Sequence, residues 1–318
     1  MDMEQTHDFE QIRPFTDEEV APAIEQLCCQ PYFVGILGYI FPGMSVSDVL
    51  VQLRTIKTID EFQQKFILPF LGNLMKNTTE GVSADGVDKL NKKGGYLFVS
   101  NHRDIILDSA LINIKLHEKG FETTEIGIGD NLLIYDWITD LVKLNKSFVV
   151  KRNLPVRQMM EASETLSAFI RQSIVNGRQN IWIAQREGRS KDGNDQTQNS
   201  VLKMFNLSGT GDMVENFKEL NIVPVSISYE LDPCDYLKAK EYQQKRDIPD
   251  FKKSREDDLL NMQTGIFGRK GRIHFQLTPC INDKLDALDP AMPKTEIFSA
   301  ISAMIDRQIH ANYRFYPG

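Results

Sequence analysis

Gly95-Tyr96-Leu97-Phe98-Val99-Ser100-Asn101-His102-Arg103-Asp104-Ile105-Ile106-Leu107-Asp108 is the stretch whose reading decides the fold. Its first half is a short apolar run of the kind that forms a buried strand. Ser109 to Ile114 then begins a helix with an apolar face. A histidine and two acids therefore stand where a strand hands over to a helix. A rigid strand end can aim such side chains into a crevice. Histidine takes and returns a proton near neutral pH, and a neighbouring carboxylate can fix its tautomer.

Outward from this junction, strands and helices alternate. The pattern predicts strands at 96–100, 124–128, 147–151, 180–185, 221–229 and 272–277. It predicts helices at 106–117, 132–143, 156–176, 235–246 and 294–312. Alternation of this kind gives an α/β fold: a mixed, largely parallel sheet flanked by helices. Ahead of it, 17–30, 45–54 and 58–76 read as helices, after a loosely held acidic stretch over 1–16. The expected division is an N-terminal helical region over 1–80 and a catalytic domain over 81–318. Asn77 to Val82 reads as a break, and 245–258 as a solvated insertion. Pro224 suits a strand start or edge better than the middle of a sheet.

With 318 residues and a net charge of −7, the chain is long enough for a sizeable core and lacks the basic footprint of a nucleic-acid binder. Its four cysteines, Cys28, Cys29, Cys234 and Cys280, form no metal-ligand spacing. No secretory signal is evident in the opening residues, so a reducing cytoplasm is the expected setting. No run reaches the ~18 apolar residues of a membrane span. Pro31 to Phe41 is the nearest to one, and reads either as a core helix or as a segment lying in one leaflet.

Three further stretches carry chemistry-bearing residues. Lys146 to Asn153 ends a strand in Lys151 and Arg152, a surface basic pair or an anion site, since guanidinium forks onto phosphate. Ile181 to Ser190 runs an apolar strand into Arg186, Glu187, Gly188, Arg189 and Ser190. There Gly188 permits an unusual backbone angle and close approach of a ligand, and Arg189 and Ser190 could meet phosphate oxygens. Asn221 to Glu230 is mostly a buried strand.

These four blocks, in this order, resemble the glycerolphosphate acyltransferase family over roughly residues 80–285. Asn101-His102 to Asp108 resembles its Asn-His…Asp block. Phe148 to Arg152 resembles the apolar strand ending in Arg, Glu187-Gly188-Arg189-Ser190 the Glu-Gly…Arg-Ser block, and Val223-Pro224-Val225 the Val-Pro strand. Five residues separate His102 from Asp108 where the family has four. Glu187-Gly188-Arg189 lacks one residue between Gly and Arg. The resemblance implies transfer of a fatty acyl group from an acyl thioester to a hydroxyl of glycerol-3-phosphate or its 1-acyl derivative. His102 would be the base, oriented by Asp108, with Asp104 the alternative acid or a helix cap. Arg152, Arg189, Lys151 and Arg186 would hold the acceptor phosphate, and Glu187, Gly188 and Ser190 would position the acceptor. The donor would ride on coenzyme A or an acyl carrier protein, with no metal or organic cofactor. The amphiphilic product implies a cytoplasmic protein bound peripherally to a membrane surface. A non-catalytic lipid-binding protein and a thioester hydrolase are the competing readings. His102-Arg103-Asp104 also matches the kinase catalytic loop, but Ser109 stands where that loop has Asn, and no Gly-rich phosphate loop precedes it.

Overall fold

The computed structural model describes residues 8–152 and 154–317. The chain opens with helices α1 (Asp17–Cys28), α2 (Pro31–Ile40) and α3 (Val46–Arg54). α4 (Ile59–Phe62) runs through a π turn into α5 (Leu68–Thr78). Then come β1 (Thr79–Asp85), β2 (Leu97–Ser100), α6 (Leu107–Glu118), β3 (Glu125–Gly129), α7 (Asp136–Leu144), β4 (Ser147–Val150), α8 (Val156–Val175) and β5 (Ile181–Ala184). After α9 (Asn199–Asn206) and α10 (Met213–Lys218) the chain forms β6 (Ile222–Tyr229), α11 (Asp235–Asp247), α12 (Arg255–Phe267), β7 (Gly271–Leu277), α13 (Asn282–Leu285) and α14 (Lys294–Ala311).

The strands form one sheet in the order β1-β7-β6-β2-β5-β3-β4. Every pairing is parallel except β6 with β7. β2 is buried along its whole length, as its continuous apolar run requires when helices cover both faces. β2 lies between β6 and β5, so the chain reverses its direction of travel across the sheet there. The parallel strands β2, β3, β4 and β5 open their C-terminal ends onto one crevice, where open α/β sheets place ligands.

Buried apolar residues fall into three clusters. One lies under α8, α9 and α14 and another around α5, α6, β6 and β7. The third gathers the N-terminal helices with Leu144, Trp137 and Leu141 of α7. The N-terminal helices thus share a core with a helix of the α/β body. Residues 8–16, expected to be loosely held, are docked: Ile12 is buried and its carbonyl accepts from Val149 N at 2.8 Å. The break expected at 77–82 is instead a helix end running straight into β1. The Thr78 and Thr79 hydroxyls bond the Leu74 and Met75 carbonyls and stop the helix, and β1 then pairs with β7 at the sheet edge. Its half-exposed alternation gave too weak an apolar pattern to read.

The stretch 245–258, expected as a solvated insertion, is mostly exposed and joins the end of α11 to the start of α12. Ser254 accepts from Asp257 N and Asp257 accepts from Ser254 N, a capping box that starts α12. Pro224 is the third residue of β6, near the strand's start and ahead of the first β6–β7 pair at Val225, although β6 itself lies inside the sheet. Its carbonyl faces β7 and accepts from Thr278 N just past the end of that strand, so its missing N–H interrupts no β6–β7 pairing.

Glu125 opens β3 with its Oε2 enclosed and without a partner. Burial pushes its carboxyl up to about 7, a Ser173 hydrogen bond and Lys146 opposing. The folded state holds this proton more tightly than the unfolded chain. The stabilising effect is therefore full below the unfolded pKa of about 4.3 and is lost as pH rises through the folded value. Glu125→Gln is expected to stabilise the protein at pH 8 by on the order of 2 kcal/mol and to change little at pH 4. Urea unfolding at the two pH values checks this; equal effects at both would refute it.

Candidate active site

His102 sits two residues past β2, and its Nδ1 is 2.9 Å from Asp108 Oδ2. The extra residue in the spacing is absorbed before the helix. α6 begins at Leu107, so Asp108 lies in its first turn and reaches back. The same Oδ2 accepts from Arg103 N at 2.6 Å and Asp104 N at 3.0 Å, which fixes the carboxylate in the turn it orients. Asp108 is fully buried. With Nδ1 engaged, Nε2 is the ring nitrogen left for the cavity that His102 lines. Trp182 packs edge-on against the imidazole at 5.7 Å, and its own Nε1 donates to Ser100.

Asp104 does not join this pair. Its Oδ1 accepts from Ile106 N and Leu107 N, capping the start of α6. Burial first, and Asp108 second, hold its carboxyl above the usual range. Asn101 ties the loop to the sheet: its side chain donates to the Ile227 carbonyl and accepts from Ile227 N. Tyr229 ends β6 with a buried hydroxyl that burial, then Asp108, hold protonated.

A cavity of about 1230 Å³ opens beside His102. It lies where the three core clusters meet, with Trp137 and Leu141 of α7, Leu166 of α8, and Ile266 and Phe267 of α12 among its walls. At this size it exceeds the ~300–1,000 Å³ of an ordinary small-molecule pocket. Polar groups gather at the strand ends: Lys151, Arg152, Arg186 and Glu187 all line it, as does Gly188. Arg152 N donates to Asp130, and its guanidinium meets the exposed Glu187 at 3.3 Å. Arg186 donates to the Asn194 carbonyl and has its Nε enclosed without a partner. Gly188 adopts φ +68°, a left-handed backbone angle that glycine takes at no steric cost.

That turn carries the next two residues away from the cavity. Arg189 does not line the cavity with the other three cations. It is 4 % exposed and points beneath α12, where Nη2 donates to Asn261 Oδ1 at 2.8 Å. Its charge favours the ionised form of Asp104. Ser190 is likewise buried off the cavity, with its hydroxyl on Asp192. α12 can come this close because Gly265 has no side chain: a Cβ there would lie 2.1 Å from Asp104 Oδ2. Sequence reading missed α12 as a wall of the site, although Ser254-x-x-Asp257 marks its start.

The sequence profile of the acyltransferase family matches residues 81–228. No curated protein matches the chain. Among solved structures, it is similar to the 1-acyl-sn-glycerophosphate (LPA) acyltransferase PlsC from Thermotoga maritima. The two are 13% identical, with 93% of this chain and 94% of that chain covered, at a TM-score of 0.42.

Proposed function

We propose that this chain, which the acyltransferase family profile matches over residues 81–228, moves a fatty acyl group from an acyl thioester to a hydroxyl of a phosphorylated glycerol, with His102 as the base. The observation that carries the reading is the His102–Asp108 pair at the polar end of a large apolar cavity. A glycerol hydroxyl is a weak nucleophile near neutral pH. His102 Nε2 takes its proton as the oxygen attacks the thioester carbonyl, and Asp108 stabilises the imidazolium that forms. When the tetrahedral intermediate collapses, the C–S bond breaks and His102 returns the proton to the departing thiolate. The transfer is direct and uses no cofactor.

Lys151, Arg152 and Arg186 would hold the acceptor phosphate, and so place the hydroxyl beside His102. Glu187 and Gly188 would shape the acceptor's polar end. The apolar cavity suits the fatty chain of the donor, carried on coenzyme A or an acyl carrier protein. Its size favours an acceptor that already carries one chain, the 1-acyl derivative, over glycerol-3-phosphate. Purified protein given one labelled acyl thioester and both acceptors tests this. Labelled diacyl product supports the reading, and thioester hydrolysis alone, or no turnover, refutes it.

The proposal extends to a peripheral membrane site on α2. Among the described residues no helix is long and apolar enough to cross a membrane. α2 divides its faces: Phe33 and Leu37 are fully buried in the N-terminal core, while Tyr32, Ile36 and Tyr39 face outward. Tyr39 also meets Phe267 of α12 edge-on at 5.1 Å, and both line the cavity. Outward aromatic residues of this kind suit the membrane interface. Tyr32→Ser, Ile36→Ser and Tyr39→Ser together are expected to release the protein from anionic vesicles in flotation with its melting temperature little changed. Phe33→Ser is expected to unfold it, since truncating a buried Phe costs about 3–5 kcal/mol. Flotation unaffected by the triple change would remove α2 from the membrane.

A further inference from the structure

The chain that follows α14 returns to the catalytic loop. Arg103, next to His102, pairs its Nη2 with Asp195 Oδ2 at 2.8 Å, and the Asp195 side chain is 0% exposed. The Tyr313 hydroxyl donates to the same oxygen. The Arg103 guanidinium lies over the Tyr313 ring at 5.6 Å. His310 Nε2 is 2.7 Å from the Asp195 carbonyl. Three separate stretches therefore converge on one buried carboxylate: the loop after β2, the loop after β5, and the end of α14 with the residues beyond it.

Two further links hold the second loop to α14. Asp306 accepts from both the amide and the hydroxyl of Thr197, at 2.8 and 2.6 Å, and Ser302 donates to the Thr197 carbonyl. Beyond Tyr313, Arg314 N donates to Ser228 Oγ at the end of β6, and its guanidinium reaches Asp85.

A buried ion pair is poor evidence for stability, because desolvating the charges offsets most of their attraction. Its better-attested effect is to select one geometry. Here the geometry selected bears on the His102 imidazole. The Arg103 side chain is held by Asp195 and Tyr313, and its backbone N–H donates to the Asp108 oxygen that faces His102 Nδ1. The Arg103 carbonyl is held in turn by Lys238 Nζ at 2.8 Å. A shift of Arg103 therefore moves a donor that aims the Asp108 carboxylate.

We propose that Asp195 and Tyr313 are positioning residues, clamping Arg103 so that Asp108 keeps the His102 imidazole in its working orientation. The inference rests on His102 being the base of the reaction proposed above. It adds that two residues 118 positions apart in the chain, both far from His102 in sequence, set the orientation of that base. Neither residue lines the cavity.

The test uses the full chain carrying Asp195→Asn, Tyr313→Phe, or both. Tyr313→Phe keeps the ring over Arg103 and removes only the hydroxyl. With an acyl-coenzyme A donor and a 1-acylglycerol-3-phosphate acceptor, Asp195→Asn is expected to lower kcat about 10- to 100-fold, the scale of an ångström-sized misplacement. Both KM values are expected to stay within about twofold of the parent. Tyr313→Phe is expected to lose less, and the double variant no more than Asp195→Asn alone, since both changes act on one oxygen. A second readout needs no turnover: the Cε1–H resonance of His102, assigned with His102→Gln, is expected to shift and broaden in Asp195→Asn. A His102 resonance unmoved in Asp195→Asn would overturn the clamp whether or not the chain proves to be an acyltransferase. So would a raised KM at unchanged kcat. If Asp195→Asn does not fold, an unmoved resonance together with undiminished kcat in Tyr313→Phe overturns it.

Discussion

His102→Ala is expected to lower kcat for acyl transfer by about three to four orders of magnitude, at the upper end of what general acid–base catalysis contributes. His102 handles the proton twice in the proposed reaction, from the hydroxyl and to the thiolate, so both steps fail together. Its side chain lies past the end of β2 and lines the cavity, so truncation leaves the sheet intact and the variant should melt near the parent temperature. Asp108→Asn is expected to cost more rate than Asp104→Asn. An amide at 108 can neither hold the Nδ1–H tautomer nor stabilise the imidazolium, and it disturbs two backbone donors at Oδ2. Asp104→Asn leaves an acceptor for the α6 cap and relieves a buried carboxylate, so its effect should be mainly on stability. Steady-state kinetics beside thermal melts separate the two. A folded His102→Ala protein with parental turnover would end the mechanism.

The strand-to-helix junction was legible because its signals are local. Leu97 to Val99 is an unbroken apolar run, and Asp108 stands within reach of His102 whether four or five residues intervene, because the helix begins only at Leu107. The remaining central strands were legible for the same reason. Arg189 was not. Whether a guanidinium at the end of a turn faces the crevice or the protein depends on the φ of Gly188 and on what packs behind it. What packs there is α12, which docks through Gly265 and Asn261, some seventy residues further along the chain. The stretch leading into α12 is dense in charge, so it read as solvated. Its buried contacts are few, and one is the absence of a side chain at Gly265. The clamp on Arg103 was hidden in the same way, because Asp195 and Tyr313 have no pattern in sequence that joins them.

Arg152→Ala is expected to raise the acceptor KM about 10- to 100-fold, the loss of one or two charge-assisted bonds to phosphate at about 1.5–3 kcal/mol each. Arg152 is suited to this because its position is set by the backbone. Its amide is held by Asp130 at the end of β3, and Gly129 leaves room for the guanidinium: a Cβ there would lie 2.7 Å from Arg152 Nε. Its partner Glu187 is exposed and makes a single contact at 3.3 Å, which leaves donors of the guanidinium for a ligand. Donor KM should be unaffected, and kcat should fall only as far as the hydroxyl drifts from His102. Arg189→Ala is expected to behave oppositely. It removes a buried cation from beside Asp104 and leaves Asn261 Oδ1 without its donor, which should destabilise the protein by about 2 kcal/mol. The acceptor KM of the folded fraction should stay near parental, because Arg189 does not face the cavity. Titrating acceptor at saturating donor for both variants, beside urea unfolding, decides the matter. An acceptor KM raised by Arg189→Ala and left alone by Arg152→Ala would place the phosphate under α12 and away from the ends of β4 and β5.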